Sequence, residues 1–438
     1  MFAYYVRLAL LSLRRNPVLT GLTIGAIGIG IAVCMTTLTL YYIMSGNPMG
    51  RAGEKVYAVQ IDSWGIDDPF DDDRPERIPW EFTWRDANGL LASDVPALQA
   101  AMFKAAAVLQ VANEDIQPSM QLLRVTGRDF FELFDTPFLY GSAWSASAET
   151  AAEQVVVLSR RTNDEAFGGE NSVGQRVRLD GRDFTVVGVL DEWDPAPKFY
   201  DVNNGPFDES EDAYIPFTLT VPLELDSAGN TNCWKDEELD SFEKFMNGEC
   251  IWIQYWVQLD DSDQKARYQD FLDNYVRDQQ ALGRLERPID NRLTNVPDWL
   301  DVRQVVANDS KVLVGLSFMF LMVCLFNAVG LVLAKFVGKA PQVGLRRALG
   351  ASTSAIFTQH LVETGIVGLA GGLVGLGLTQ LGLVGIRALN EHYEVLTQLD
   401  VVLVSGTIII AVMSGVIAGL YPTWRICRVA PAGYLKTQ

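Results

Sequence analysis

The chain has 438 residues, of which 49% are hydrophobic and 20% charged, and its formal net charge at pH 7 is −19. The charges are segregated, because residues 46–307 carry 49 of the 54 acidic and 23 of the 35 basic residues. With no basic patch of useful size, the composition excludes a nucleic-acid-binding protein. Only His360 and His392 are histidines, and no CxxC, HExxH or phosphate-binding-loop motif occurs, which excludes much of enzymatic catalysis.

Four segments are predicted to cross a membrane. Each holds about 20 or more mostly apolar residues, and a helix rising about 1.5 Å per residue then spans a hydrocarbon core of about 30 Å. The first apolar stretch is too long for a signal peptide and is interpreted as an uncleaved span. The predicted spans are 18–45, 308–335, 356–387 and 401–421. Residues 1–17 combine arginines with apolar residues, which is typical of an amphipathic interfacial helix.

Positive charge predicts the orientation of these spans. Ten lysines and arginines lie before the first span, at and after the end of the second, and after the fourth, with no acidic residue among them. Such segments are retained in the cytoplasm, so the segments 336–355 and 422–438 and the N-terminal end are predicted to be cytoplasmic. Residues 46–307 and the short loop 388–400 are then extracytoplasmic.

The large extracytoplasmic region is predicted to be an α+β domain. Residues 177–190, with Asp180-Gly181 in the middle, indicate a β-hairpin. Residues 251–259 alternate like a single strand, and residues 262–282 suit a helix that follows it.

Two features of this domain could mark a ligand site. Trp252 and Trp256 fall on one face of the predicted strand and could stack on a ligand, although cover by a second layer of structure is the preferred interpretation. The acidic run 67–73 lacks the spacing and the closing glutamate of an EF-hand loop, so it is interpreted as a solvated loop. No metal site is predicted.

Two of the five cysteines, Cys233 and Cys250, lie in the extracytoplasmic region. An oxidising compartment favours a disulfide between them, and free thiols are the alternative.

The third span contains an unusual number of glycines. Gly368 with Gly372 and Gly371 with Gly375 form small-xxx-small pairs, which let helix backbones approach closely in lipid. Packing within one chain and packing between two copies are both compatible with this pattern.

Asn327 and Glu363 are the polar residues inside predicted spans to which a role can be given. Asn327 is predicted to form a hydrogen bond between helices. Glu363, one turn after His360, is interpreted as a structural hydrogen-bonding group, with a proton-relay role as the alternative.

Several motifs resemble one known family. The stretch 343–352, VGLRRALGAS, resembles the signature IGIRRALGAS of the MacB/FtsX-type ABC transporter permeases, and AGLYPTWR at 418–425 resembles their AGLYPAWRA. Residues 125–134, 172–175 and 184–190 are similar to the MacB-like periplasmic core domain. The resemblance covers nearly the whole chain.

The resemblance implies a fold and a location. The fold would be four transmembrane α-helices with a large α+β extracytoplasmic domain inserted between helices 1 and 2. Within that domain, residues 46–130 and 249–307 would form a porter-like part and residues 131–248 a β-rich insertion. The chain would lie in the inner membrane, with this domain in the periplasm.

The resemblance also implies a function. The chain would be a permease subunit that couples ATP hydrolysis by a separate ATPase to periplasmic shape changes, a mode called mechanotransmission. It would export an antibiotic, a peptide or a lipid-linked substrate. The alternatives are an FtsX-like signalling subunit that controls a periplasmic hydrolase and a lipoprotein-releasing permease. The chain itself would be no enzyme and bind no cofactor, whereas ATP and Mg²⁺ would be bound by the ATPase.

The cytoplasmic segment 336–355 would be the coupling segment of such a permease. The residues that would dock on the ATPase are Val343, Gly344, Leu345, Arg346, Arg347, Ala348, Leu349 and Gly350. For the two arginines, simple retention in the cytoplasm is the alternative role.

The other implied partners are a second permease copy and, in some relatives, a periplasmic adaptor with an outer-membrane duct. Relatives usually carry a glutamate where this chain has Gln342, which makes a non-identical partner permease the alternative to a second copy.

Overall fold

A computed structural model describes residues 2–111, 116–306, 308–389 and 401–428. The chain divides into two compact units, Gly46–Val305 and the remainder, Met1–Ser45 with Val306–Gln438. We call them the inserted domain and the helical unit. Most of the predicted loop 388–400, including His392, and residues 429–438 of the predicted tail lie outside the described residues.

The secondary structure is as follows in chain order. The α-helices are α1 (Phe2–Arg15), α2 (Pro17–Met44), α3 (Trp84–Leu91), α4 (Phe130–Leu133), α5 (Ala146–Thr150), α6 (Arg160–Phe167), α7 (Phe242–Asn247), α8 (Ser262–Ala281), α9 (Val296–Val302), α10 (Asn308–Val337), α11 (Ala340–Ala348), α12 (Thr353–Leu389) and α13 (Val401–Cys427). The strands are β1 (Val56–Gln60), β2 (Leu98–Val111), β3 (Ser119–Thr126), β4 (Phe138–Gly141), β5 (Val155–Leu158), β6 (Arg176–Leu179), β7 (Arg182–Leu190), β8 (Ala213–Pro216), β9 (Asn232–Cys233), β10 (Cys250–Ile251), β11 (Gln254–Gln258) and β12 (Arg292–Asn295).

The helical unit contains the predicted membrane spans. Among the described residues, four helices are long and apolar enough to cross a membrane: α2, α10, α12 and α13. α1 ends at Arg15, and Pro17 then opens α2, where its missing N–H has no intrahelical acceptor to lose. α2 packs against α10 and α12, and α12 also packs against α13 and α1. With the large domain inserted between α2 and α10, this confirms the predicted fold class.

One large sheet organises the inserted domain. Its strand order is β12-β1-β11-β2-β3-β8-β5-β7-β4, and β6 pairs with both β2 and β7. β2 is 14 residues long, so its beginning pairs with β11 and its end with β6. As a result, strands β2, β3, β8, β5, β7 and β6 form a closed circuit of pairings. The division into a porter-like part and an insertion stays a prediction, because this sheet runs through both.

The predicted hairpin is confirmed as β6 and β7. Leu179 pairs with Arg182, so the loop holds the two residues Asp180 and Gly181, with φ of +48° and +78°. Positive φ at both central positions is the geometry of the tight hairpin turns that an Asp-Gly pair favours.

The single strand predicted at 251–259 is wrong. β10 ends at Ile251 and β11 begins at Gln254, so the alternation is interrupted between them. Trp252 therefore packs in one buried cluster, 4.6 Å from the ring of Phe103, and Trp256 packs in the other cluster. Both rings are almost fully buried, so cover by further layers of structure is confirmed for both tryptophans.

A disulfide links Cys233 and Cys250. The two residues face each other directly in the antiparallel pair β9–β10. The remaining cysteines, Cys34, Cys324 and Cys427, are buried free thiols.

Candidate functional site

The predicted coupling segment contains a short helix, α11, between two turns. A turn at Gly338 and Lys339 separates it from α10, and Pro341 occupies its first turn, where proline is tolerated. The helix ends before Gly350, whose φ of +96° lies in the left-handed region that favours glycine. α12 then begins at Thr353.

The residues predicted to dock on an ATPase occupy different sides of this segment. Val343 and Gly344 are buried, and Val343 packs with Phe336 and Ile356. Of the eight predicted residues, Leu345, Arg346, Ala348, Leu349 and Gly350 are exposed, and the neighbouring Gln342 is exposed as well. Because positions three or four apart share one side of a helix, Gln342, Leu345, Arg346 and Leu349 form a single exposed face. We call these four residues the α11 outer face.

The two arginines of the motif are held differently. Arg346 is exposed, and its Nη1 donates a hydrogen bond to Gln359 Oε1 at 3.0 Å. Arg347 is half-buried, and its Nη1 donates to the carbonyl of Cys427, the last residue of α13, at 3.1 Å. A cation beside the last carbonyls of a helix is favourable. Arg347 therefore fastens the end of α13 to α11, whereas Arg346 belongs to the outer face.

Glu363 is the centre of a buried ion cluster. Its Oε1 lies 2.9 Å from Nζ of both Lys335 and Lys339, and it accepts a hydrogen bond from Ser12 Oγ at 2.5 Å. Its Oε2 lies 3.2 Å from Lys339 Nζ and 3.4 Å from His360 Nδ1. We call these five residues the Glu363 cluster. Lys335 also donates to Thr20 Oγ1 of α2 at 3.1 Å.

This geometry matches the structural role predicted for Glu363. Its side chain is 1% exposed and that of Lys335 is 4% exposed, so neither charge could be accommodated without a partner. The carboxylate joins α12 to α1, to the end of α10 and to the start of α11.

Asn327 does not lie between helices of this chain. It is exposed on α10, and no side-chain hydrogen bond is found for it within the described part of the chain. The predicted interhelical bond is therefore not formed among the described residues of the helical unit.

The four predicted packing glycines all contact helices of the same chain. A Cβ on Gly368 would lie 2.6 Å from the carbonyl oxygen of Ala411 in α13. Gly372 likewise faces Ala411, while Gly371 and Gly375 approach α2, with a Cβ on Gly371 only 2.8 Å from Ile27 Cγ2. The structure therefore favours packing within one chain over a seam between two copies at these positions.

A second buried ion cluster lies in the inserted domain, and sequence reasoning missed it. Arg124 of β3 donates hydrogen bonds to Asp201 and Glu211, and all three side chains are 0% exposed. Lys198 lies 2.7 Å from Glu211, and Tyr200 donates to the same carboxylate at 3.0 Å. Burial alone would raise the pKa of Glu211, but Arg124 and Lys198 hold it well below its usual range.

This second cluster fastens an irregular segment to the sheet. Lys198, Tyr200, Asp201 and Glu211 all belong to the connection between β7 and β8, whereas Arg124 belongs to β3. The one sequence signal was that Arg124 is the only charged residue of β3.

Glu81 lies beside this cluster, and no lysine or arginine among the described residues is hydrogen-bonded to it. The side chain is buried and accepts a hydrogen bond from Gln254 Nε2 at 2.9 Å. Burial raises its pKa to about 7, and the neighbouring charge of Asp201 acts in the same direction. Glu81 is thus a carboxylic acid that titrates near neutral pH.

We expect the inserted domain to lose stability as pH rises from 5 to 8. The pKa of Glu81 is about 7 in the folded state and ordinarily 4.5, so the folded state holds the proton more tightly. Its contribution, about 3 kcal/mol, is fully present below about pH 4.5 and lost as pH rises through about 7. Urea unfolding of the full chain in detergent, followed by tryptophan fluorescence, measures it.

Glu81→Gln is the control for this titration. The amide cannot ionise, so the variant should equal the natural protein near pH 5 and exceed its stability at pH 8. Equal pH dependence in both proteins would contradict the assignment to Glu81.

In the acidic run 67–73, four of the five aspartates are exposed, as predicted for a solvated loop, and Asp71 is the one held by hydrogen bonds. Asp71 accepts hydrogen bonds from Arg77 Nη1 at 2.8 Å and from the backbone N–H groups of Asp73 and Arg74. Over the residues that the structure describes, no group of three or more His, Cys, Asp or Glu side chains is placed to hold a metal ion.

The fold and these sites define a multi-pass membrane protein with a large domain inserted after its first span. The family model for the MacB-like periplasmic core domain matches residues 20–275, and that for the FtsX-like permease C-terminal region matches residues 314–431. The chain therefore belongs to the MacB/FtsX-type family of ABC transporter permeases.

Individual relatives are distant in sequence. Macrolide export ATP-binding/permease protein MacB of Syntrophobacter fumaroxidans is 22% identical over 70% of this chain and 46% of its own length. Pyoverdine export ATP-binding/permease protein PvdT of Pseudomonas savastanoi pv. phaseolicola is 23% identical over 72% of this chain and 43% of its own length. The chain thus spans less than half the length of these two relatives.

Among solved structures, the periplasmic region of MacB from Actinobacillus actinomycetemcomitans aligns with 60% of this chain and with 99% of its own length. The TM-score of that alignment is 0.37, and the sequence identity is 16%.

Proposed function

We propose that this chain is the permease subunit of an ABC transporter whose ATP hydrolysis takes place on a separate polypeptide. The observation that carries the proposal is the α11 outer face. It presents two leucines, Leu345 and Leu349, at 53% and 79% exposure, together with Arg346. Exposed apolar side chains beside an arginine are typical of a protein-binding surface.

The proposed activity is mechanical coupling. ATP and Mg²⁺ would be bound by the ATPase, which would move α11, and the change of shape would appear in the inserted domain. The chain would lie in the inner membrane with that domain in the periplasm. A second permease, identical or not, completes the proposed core complex, and an adaptor with an outer-membrane duct would extend it.

The proposed substrate class is an exported antibiotic, peptide or lipid-linked compound. The relatives MacB and PvdT bear names that refer to macrolide and pyoverdine export, which supports export over control of a hydrolase. Control of a periplasmic hydrolase and lipoprotein release remain the alternatives that a substrate assay must separate.

We expect Arg346→Glu to reduce co-purification of the ATPase at least tenfold. The substitution reverses a charge on the outer face, whereas the buried side of α11 is untouched. The measurement is the amount of ATPase, and of ATP hydrolysis, recovered with a tagged chain expressed together with its neighbouring genes.

Arg178→Glu is the matched control, because Arg178 is an exposed arginine of the inserted domain with 61% of its side chain accessible. It should recover as much ATPase as the natural protein. The double change Arg346→Glu with Arg347→Glu should lose the ATPase as well and also loosen the end of α13. Full recovery of ATPase and hydrolysis with Arg346→Glu would defeat the proposed docking face.

A further inference from the structure

We propose that Glu363 is the positioning residue that holds the coupling helix α11 to the membrane helices. A displacement of α11 is thereby transmitted to α10. The inference rests on the function proposed above. It concerns how a movement of α11 is transmitted to the membrane helices, whereas the outer face concerns how α11 contacts the ATPase.

The two lysines lie on either side of the junction between α10 and α11. Lys335 lies in the last turn of α10, and Lys339 occupies the cap position of α11. The turn that joins the two helices consists of Gly338 and Lys339 itself. A short turn with a glycine can change its backbone angles readily, so by itself it would let α11 swing relative to α10.

The carboxylate of Glu363 bridges this turn. Glu363 of α12 lies within 2.9 Å of both ammonium groups, so it links the end of α10 to the start of α11 from outside the turn. Its two oxygens are both used, and its side chain is 1% exposed. Charge-assisted hydrogen bonds in such a site are stronger than those at the surface.

Helix α1 contributes Ser12 to the same cluster. Ser12 accepts a hydrogen bond from Lys339 and donates one to Glu363. The interfacial helix is thereby attached to the same point as α10, α11 and α12. Movement of α11 away from α12 would separate the largely buried Lys339 ammonium from both Glu363 and Ser12, which is unfavourable.

The two lysines provide a test that does not depend on removing the carboxylate. Lys339→Met breaks the link to α11 and leaves Glu363 paired with Lys335, so no buried charge is orphaned. Lys335→Met is the matched variant, because it leaves Lys339 and Glu363 paired and α11 attached. Both substitutions replace a largely buried lysine with an apolar side chain of similar length.

The first measurement is hydrogen–deuterium exchange of the full chain in lipid nanodiscs. Lys339→Met should raise the exchange rate of the α11 amides at least tenfold, whereas Lys335→Met should leave it within about threefold of the natural protein. Equal exchange in all three proteins would overturn the positioning role. This measurement needs no ATPase, so it stands or falls independently of the proposed function.

The second measurement is the change in tryptophan fluorescence on adding ATP to the complex purified with its ATPase. Nine of the ten tryptophans of this chain lie in the inserted domain, so the contribution of this chain to the signal reports mainly on that domain. Lys339→Met should retain the ATPase, because the outer face is intact, and lose at least 80% of the signal. A full signal would overturn the inference, whereas absence of any ATPase from the natural complex would overturn the proposed function instead.

Discussion

Replacing Arg124 by methionine is expected to lower the free energy of unfolding of the inserted domain by about 3–5 kcal/mol. The guanidinium is fully buried and donates to Asp201 and Glu211, and it also lies 5.2 Å from the ring centroid of Tyr200. Methionine would fill much of the space but leave two buried carboxylates with Lys198 as their main remaining cation. Unfolding by urea, followed through the tryptophans of the inserted domain, measures the loss.

Two further variants make this prediction specific. Arg178→Met removes an exposed arginine that pairs with Asp183 at 2.9 Å, and it should change stability by no more than about 0.5 kcal/mol. Adding Asp201→Asn to Arg124→Met removes one orphaned charge and should recover part of the loss, because contacting residues are not additive. A loss below about 1 kcal/mol for Arg124→Met would show that the cluster contributes little.

Gly368→Ala is expected to separate α12 from α13 and to destabilise the helical unit by about 1–3 kcal/mol or more. The new Cβ would lie 2.6 Å from the carbonyl oxygen of Ala411 and 2.7 Å from Cα of Gly415. Both are backbone atoms, so a change of rotamer cannot relieve the clash and the two helices must move apart. Unfolding in mixed SDS–detergent micelles, followed by the circular dichroism of the helices, measures the effect.

Gly377→Ala is the matched control on the same helix. Among the described residues, no atom outside the backbone of α12 itself lies within 4 Å of a Cβ built there, so its effect should stay within about 0.5 kcal/mol. If Gly368 instead lay at a seam between two copies, Gly368→Ala would alter the oligomeric state and leave the stability of a single chain unchanged. Equal stability of the two variants would therefore count against packing within the chain.

Features fixed by short stretches of sequence were predicted well. The apolar runs predicted the spans, because length and hydropathy decide whether a helix can cross a bilayer. The pair Asp180-Gly181 predicted the β6–β7 turn, because positive φ at both positions is restricted to few residue types. The prediction of one continuous strand across Trp252, in contrast, was wrong. Its alternation is interrupted by the chain path between β10 and β11, and periodicity does not report such a break.

Apolar runs, charge distribution and short motifs are enough to predict the four spans, the inserted domain and the segment that contains α11. Which distant residues make contact is set by the packing of the helices and strands. Glu363 is 24 positions from Lys339 and 351 from Ser12, and Arg347 is 80 from Cys427. Local periodicity assigns a residue to a face of its own helix, but a partner is chosen only when two faces pack. That is why the motif predicts one role for the adjacent residues Arg346 and Arg347, whereas the structure places them in two different environments.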